Sequence, residues 1–106
     1  MVFVVSPKYR TAYEESAEAI RQALSEYGSH GASWEDVEHV MPSSEGRTFI
    51  VSYAATRRSE RTEVAKCTSF AQALFVMANA VKGGLYEIRE VQGDVAGECM
   101  ASRRIR

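Results

Sequence analysis

Cysteine, proline, histidine and tryptophan are all scarce in this chain of 106 residues: two, two, two and one. Cys67 and Cys99 lie far apart, form no Cys-x-x-Cys pair and have no histidine beside them, which excludes a zinc-finger or thioredoxin-type motif. They are expected to be free thiols packed as small hydrophobes in a reducing compartment. No run approaches the roughly 18 apolar residues of a membrane span. Met1-Val2-Phe3-Val4-Val5 has no basic residue ahead of it and stops at Ser6-Pro7, so it does not read as a signal peptide. A cytoplasmic location without a membrane partner is expected. Neither a Gly-x-Gly-x-x-Gly turn nor a P-loop occurs, which disfavours a nucleotide-cradling loop, and no cofactor is expected. Repeats, low-complexity tracts and linkers are missing too. With 45% hydrophobic and 25% charged residues, the chain predicts one globular domain over residues 1–106 with a single core.

Charge of one sign is also lacking overall, since the net charge is −1. That total hides an asymmetry. Residues 1–46 carry three basic groups against eight acids, whereas residues 47–106 carry ten basic groups against six acids. An acidic front half and a basic rear half predict two sides of unlike potential, unless the halves interleave in space and cancel.

What is present is regular patterning. Val2 to Val5 reads as a short strand, covered on both faces or lying at an edge. Thr11-Ala12-Tyr13-Glu14 reads as a capping box opening a helix, with Tyr13, Ala17, Ile20, Leu24 and Tyr27 on its apolar face and an end at Gly28. Ser29 to Ser33 is a loop by composition. Trp34 to Met41 is ambiguous: Ser33 with Asp36 resembles a cap and Trp34, Val37 and Met41 have helical spacing, yet Val37, His39 and Met41 alternate as a strand would. After a turn at residues 43–46, residues 47–56 have the strongest strand composition, with Phe49, Val51 and Tyr53 on one face. Arg57 to Arg61 form a charged hairpin tip, and Thr62 to Cys67 return as the partner strand. Ser69-Phe70-Ala71-Gln72 caps a second helix, apolar around most of its circumference, which should be buried against the sheet and end at Gly83-Gly84. Leu85 to Val91 and Glu98 to Ile105 read as two strands joined by the turn at residues 92–97. The sum is an α+β fold: an antiparallel sheet of four to five strands with two main helices on one face.

Residues that carry chemistry are few. His39, flanked by Glu38, is the one histidine with an adjacent carboxylate, but strand neighbours point to opposite faces. His30 sits between Ser29 and Gly31, where a solvated imidazole is expected. His30, His39, Glu35, Asp36 and Glu38 match no dedicated metal-ligand spacing, so no metal is expected. Arg57, Arg58 and Arg61 stand out more: guanidinium forks at one hairpin tip suit carboxylates and phosphates alike. Trp34, in the acidic segment beside Glu35, Asp36 and Glu38, is a candidate interface anchor.

Two resemblances follow. Read with a strand at 36–41, the order from Asp36 to Lys82, preceded by the helix at 12–27, resembles the α-β-β-β-α order of double-stranded RNA-binding domains. The Lys-rich clamp of that family has only Lys66 to answer it, just ahead of Cys67-Thr68-Ser69-Phe70-Ala71-Gln72. The strand Thr48-Phe49-Ile50-Val51-Ser52-Tyr53, the helix start Ser69-Phe70-Ala71-Gln72-Ala73-Leu74, the strand Leu85-Tyr86-Glu87-Ile88-Arg89 and the terminal Gly97-Glu98-Cys99-Met100-Ala101-Ser102 together resemble small accessory proteins of phages and mobile elements, including anti-CRISPR inhibitors. That resemblance implies an enzymatically inert protein that occupies the surface of a larger machine.

The leading expectation is therefore a non-enzymatic module that binds a protein or nucleoprotein complex through Trp34, Glu35, Asp36 and Glu38 on one side and Arg57, Arg58 and Arg61 on the other. The alternative is a nucleic-acid-binding domain using Arg57, Arg58, Arg61, Arg103, Arg104 and Arg106. An enzyme using His39 or His30 comes third. The chain is expected to be a monomer, or a homodimer if Val2 to Val5 or the C-terminal strand is a free edge.

Overall fold

The structure is a computed structural model and describes residues 3–27, 33–43 and 46–106. The expected helix end at Gly28, the loop around His30 and the turn at Ser44-Glu45 lie outside the described residues, as do Met1 and Val2. Five strands, β1 (Val4–Val5), β2 (Thr48–Ala54), β3 (Thr62–Cys67), β4 (Gly84–Gln92) and β5 (Val95–Ile105), form one antiparallel sheet in the order β1-β5-β4-β2-β3. Two main helices, α1 (Arg10–Tyr27) and α3 (Phe70–Asn79), cover one face, and the short α2 (Trp34–Val37) lies beside them. The α+β class and the paired helices are as the hydrophobic periodicity predicts.

Strand parity decides what that helical layer covers. Phe49 and Val51 of β2, Tyr86 and Ile88 of β4, Cys67 of β3 and Val5 of β1 are buried in one cluster with Phe70, Ala73, Leu74 and Met77 of α3. Tyr13 and Ile20 of α1 pack against the same cluster. A second cluster holds Ala23 of α1, Val37 of α2 and Phe75 of α3, with Trp34 tilted on Phe75 at a ring separation of 5.7 Å. Because β2 lies between β3 and β4 and is antiparallel to both, β3 and β4 run parallel. The chain needs a crossover to connect them, and α3 supplies it.

Several boundaries differ from the sequence reading. Residues 34–40 are helical, α2 continuing into a 3-10 turn at Glu38–Val40. The Asp36 carboxylate accepts the Ser33 N–H at 2.9 Å, and Val37 is wholly buried, so capping and i, i+3 packing win over the alternating pattern. Two strands, not three, therefore separate α1 from α3, and the α-β-β-β-α order does not form. The Thr11 capping box does not form either. Pro7 starts a 3-10 turn at Pro7–Tyr9 that runs straight into α1 at Arg10, placing Thr11 inside the helix. Helix α3 stops at Asn79, short of Gly83-Gly84, and Val81 beyond it is 90% exposed. The last turn is tighter than expected: Gln92 pairs with Val95 across Gly93 and Asp94, with Gly93 at φ 64°. The C-terminal strand is not last in the strand order, since β5 lies between β1 and β4, but β1 pairs with it only at Ala101 and Ser102. The edges are two-residue β1 and β3, whose pairing is interrupted by a bulge at Val64. A short edge and a bulged, charged edge both discourage strand-to-strand association.

Gly84 is the point where the chain re-enters the sheet. Its φ is 142°, and a Cβ there would lie 2.5 Å from the Tyr53 ring and 2.8 Å from the Ala54 carbonyl oxygen. Tyr53 cannot retreat: its hydroxyl donates to the Gly83 carbonyl at 2.6 Å and its ring packs tilted against Tyr86, centroids 5.1 Å apart. Gly93 also has positive φ, but nothing lies within 4 Å of where its Cβ would be. Gly84→Ala is expected to lower stability by about 3 kcal/mol or more, and Gly93→Ala by about 1 kcal/mol. Equilibrium urea denaturation of the two variants checks this, and equal losses would contradict the steric account.

Candidate functional site

The same parity that buries one side of the sheet assembles the other. On the face opposite the helices, β4 presents Leu85, Glu87 and Arg89. Across from them β2 presents Ala54, Ser52 and Ile50, and β5 presents Arg104, Ser102 and Cys99. Lys66 of β3 lies beside Ile50. No described helix covers this face.

Its centre is an ion-pair network. Glu87 is only 9% exposed. One carboxylate oxygen accepts the Arg61 Nε–H at 2.8 Å and the other accepts Arg89 Nη2 at 3.2 Å. Burial pushes the Glu87 carboxyl up, but the Arg61 hydrogen bond and the charges of Arg89 and Arg61 outweigh it and hold the group below its ordinary value. Arg61 also donates from Nη1 to the carbonyl oxygens of Arg57 and Ser59, at 2.9 and 3.0 Å, so it closes the β2–β3 hairpin loop as well. Arg89 reaches the Gly97 carbonyl at 3.1 Å. Cys99, half-buried nearby, has its thiol pushed up by burial and by the Glu87 charge. Cys67, on the covered side, is pushed up to about 11 by burial. Both thiols are therefore protonated at neutral pH and weakly nucleophilic.

The residues singled out from sequence divide into free and committed groups. Arg57 and Arg58 are exposed at the hairpin tip, and their guanidinium groups have no partner among the described residues; Arg104 and Arg106 are likewise exposed and free. Arg61 is committed to Glu87. Arg103, on the helix side, donates to the carbonyl oxygens of Met77, Ala78 and Ala80 and so caps the C-terminus of α3, where a cation is favoured. Trp34 is half-buried, packing on Phe75 with part of its surface still exposed. Glu35, Asp36, Glu38 and His39 are exposed on the α2 segment, and Asp36 is occupied with Ser33. No three metal-ligating side chains converge among the described residues. None of the described helices is long and apolar enough to cross a membrane.

Sequence reasoning missed the Glu87 network, Lys66 on the bare face and the bidentate Arg47–Glu90 pair, with contacts of 2.7 and 2.9 Å, on the covered side. A signal existed for Glu87: it sits between the apolar Tyr86 and Ile88, so period-2 alternation turns it to the uncovered face. Its arginine partners come from a loop and from its own strand, which no local pattern announces.

The three-dimensional charge pattern follows. The bare face and its rim carry Arg57, Arg58, Arg61, Lys66, Arg89, Arg104 and Arg106 against Glu60, Glu63 and Glu87. The helical layer and covered side carry Lys8, Arg10, Arg21, Arg47, Lys82 and Arg103 against Glu14, Glu15, Glu18, Glu26, Glu35, Asp36, Glu38, Glu90 and Glu98, which leaves that side net acidic. The halves interleave only in part: Arg47, Lys82 and Arg103 of the rear half lie on the covered side. The two faces of the sheet have opposite sign.

No protein family, curated protein or solved structure matches the chain.

The Glu87 network makes stability pH-dependent. Because the folded carboxyl is held below its ordinary value, its contribution is complete above the unfolded pKa of about 4.3 and is lost as pH falls through the folded value. Glu87→Gln should cost on the order of 2 kcal/mol at pH 7, since it leaves two arginines without a counter-charge. The same variant should show a flatter fall in stability below about pH 5 than the native protein. Urea denaturation at stepped pH measures both, and parallel curves would exclude Glu87 as a contributor.

Proposed function

We propose that the chain is a non-enzymatic binding module that acts in the cytoplasm and modulates a larger macromolecular complex by docking it on the bare face of the sheet. The observation that carries this reading is the sorting of charge: free cations surround one uncovered face, and the opposite layer is acidic. Such a distribution orients an approaching partner before contact and raises the encounter rate. The face also has the composition of a protein interface, with aliphatic Ile50, Leu85 and Val91 amid arginines. A reducing compartment agrees with the free cysteines Cys67 and Cys99. The resemblance to accessory inhibitors of phages and mobile elements points to a nucleoprotein machine as the complex, touched on its protein part.

Two observations weaken the nucleic-acid alternative. Of the six arginines it invokes, Arg61 and Arg103 are spent inside the fold. The aromatic rings Phe49, Tyr53 and Tyr86 lie on the covered side, which leaves the bare face without a platform for stacked bases.

Affinity capture from native host lysate, with and without nuclease, tests the reading. Three baits are compared: the native chain, an Arg57→Glu, Arg58→Glu, Arg104→Glu variant, and a Glu14→Lys, Glu15→Lys, Glu18→Lys variant. The expected result is a protein set that survives nuclease, falls at least about tenfold with the arginine variant and persists with the helix variant. Loss with nuclease, or capture unaffected by the arginine reversals, would overturn it.

A further inference from the structure

One recess of the bare face has a specific chemistry. It has a volume of about 330 Å³ and is lined by Arg57, Arg61, Leu85, Glu87 and Ser102. The recess is shallow, and its origin is simple. Opposite Leu85 and Glu87, β2 presents only Ala54 and Ser52, the smallest side chains it places on this face, while the β2–β3 loop raises Arg57 and Arg61 beside them.

Hydrogen-bond donors converge on this recess without being used. Arg61 spends Nε on Glu87 and Nη1 on two loop carbonyls, and these bonds fix the plane of its guanidinium; Nη2 has no partner among the described residues. The Arg57 guanidinium and the Ser102 hydroxyl are unpartnered in the same sense. Leu85 supplies an aliphatic wall. A held guanidinium edge, a second unpartnered guanidinium, a hydroxyl and a methylene-sized apolar contact form a receptor for a carboxylate on a short aliphatic stem.

We propose that this recess is the anchor subsite of the docking face and takes a glutamate or aspartate side chain of an acidic partner protein. The proposal rests on the docking reading above and adds the partner's chemistry. Charge separates a carboxylate from a phosphate monoester here, and the singly charged phosphodiester of nucleic acid is discriminated by the test below. Glu87 forms part of the lining, and its charge is already balanced by Arg61 and Arg89, so the recess tolerates a singly charged acceptor better than a doubly charged one. The bound carboxylate completes the donors that the internal network leaves over. Arg58, Lys66 and Arg104 then act around it as a rim that sets orientation and salt sensitivity.

Titration of the isotope-labelled protein, followed by amide chemical shifts, tests this with two probes at one salt concentration: a twelve-residue Glu-rich peptide and a short DNA duplex. The peptide should shift Arg57, Arg61, Leu85 and Ser102 most. Arg57→Ala and Ser102→Val should each weaken it by about five- to tenfold. Both leave Glu87 and its partners in place, and unchanged spectra away from the recess confirm that they fold. Peptide shifts that centre on Lys66 and Arg104 and are indifferent to Arg57→Ala would overturn the subsite while leaving the docking face standing. Tighter binding of the duplex than of the peptide would overturn the carboxylate assignment. Shifts by neither probe on this face would overturn both readings.

Discussion

Everything distinctive about this molecule depends on α3 lying across β2 and β3 and reaching β4. Phe70, Leu74 and Met77 enter the cluster formed by Phe49, Val51 and Ile88, all buried, and the helix spends its remaining apolar side on the second cluster, where Phe75 meets Ala23 and Val37. A helix apolar around most of its circumference cannot stand beside a sheet and face water; it needs a second layer, and α1 and α2 provide it. One side of the sheet is thereby closed, and the burial of this set dominates the favourable free energy. The other side is left without cover, because the chain has no further apolar helix to place there among the described residues.

An uncovered antiparallel face must be polar or find a partner. Here it is polar in a structured way. Glu87 sits on the central strand, where desolvation would favour its neutral form, and it stays ionised because Arg61 and Arg89 flank it. The pairing is not decoration on a finished sheet: Arg61 also holds the loop carbonyls of Arg57 and Ser59, so the network fixes the hairpin that carries the free arginines. Arg103 shows the same economy on the covered side, where a cation that reads as surface charge instead terminates α3. Seven cations on and around the bare face are thus divided between holding the structure and meeting a partner.

Much of the fold is legible in the residues. The alternation of Phe49, Val51 and Tyr53, the Ser69 cap whose hydroxyl accepts the Gln72 N–H at 3.1 Å, and the β2–β3 hairpin follow from local pattern. Boundaries were less legible where two local signals competed. At Trp34 to Met41, burial of Val37 between two helices decided for helix, and at Thr11 the earlier entry through Pro7 displaced a plausible cap. The candidate site was legible only in part. Arg57, Arg58 and Arg104 were found as charges, whereas Glu87, Ser102 and Leu85, which give those charges a shaped surface, come from strands that meet only in the sheet.

The sequence by itself determined the α+β class, the apolar faces and the unequal charge of its two halves, because each is a property of spacing within one segment. Only the tertiary structure decided that those charges lie on opposite faces, which arginines remain free, and where a recess opens between them. Strand order and register bring together residues separated by more than forty positions, and the electrostatic energy of a side chain depends on those neighbours rather than on its place in the chain.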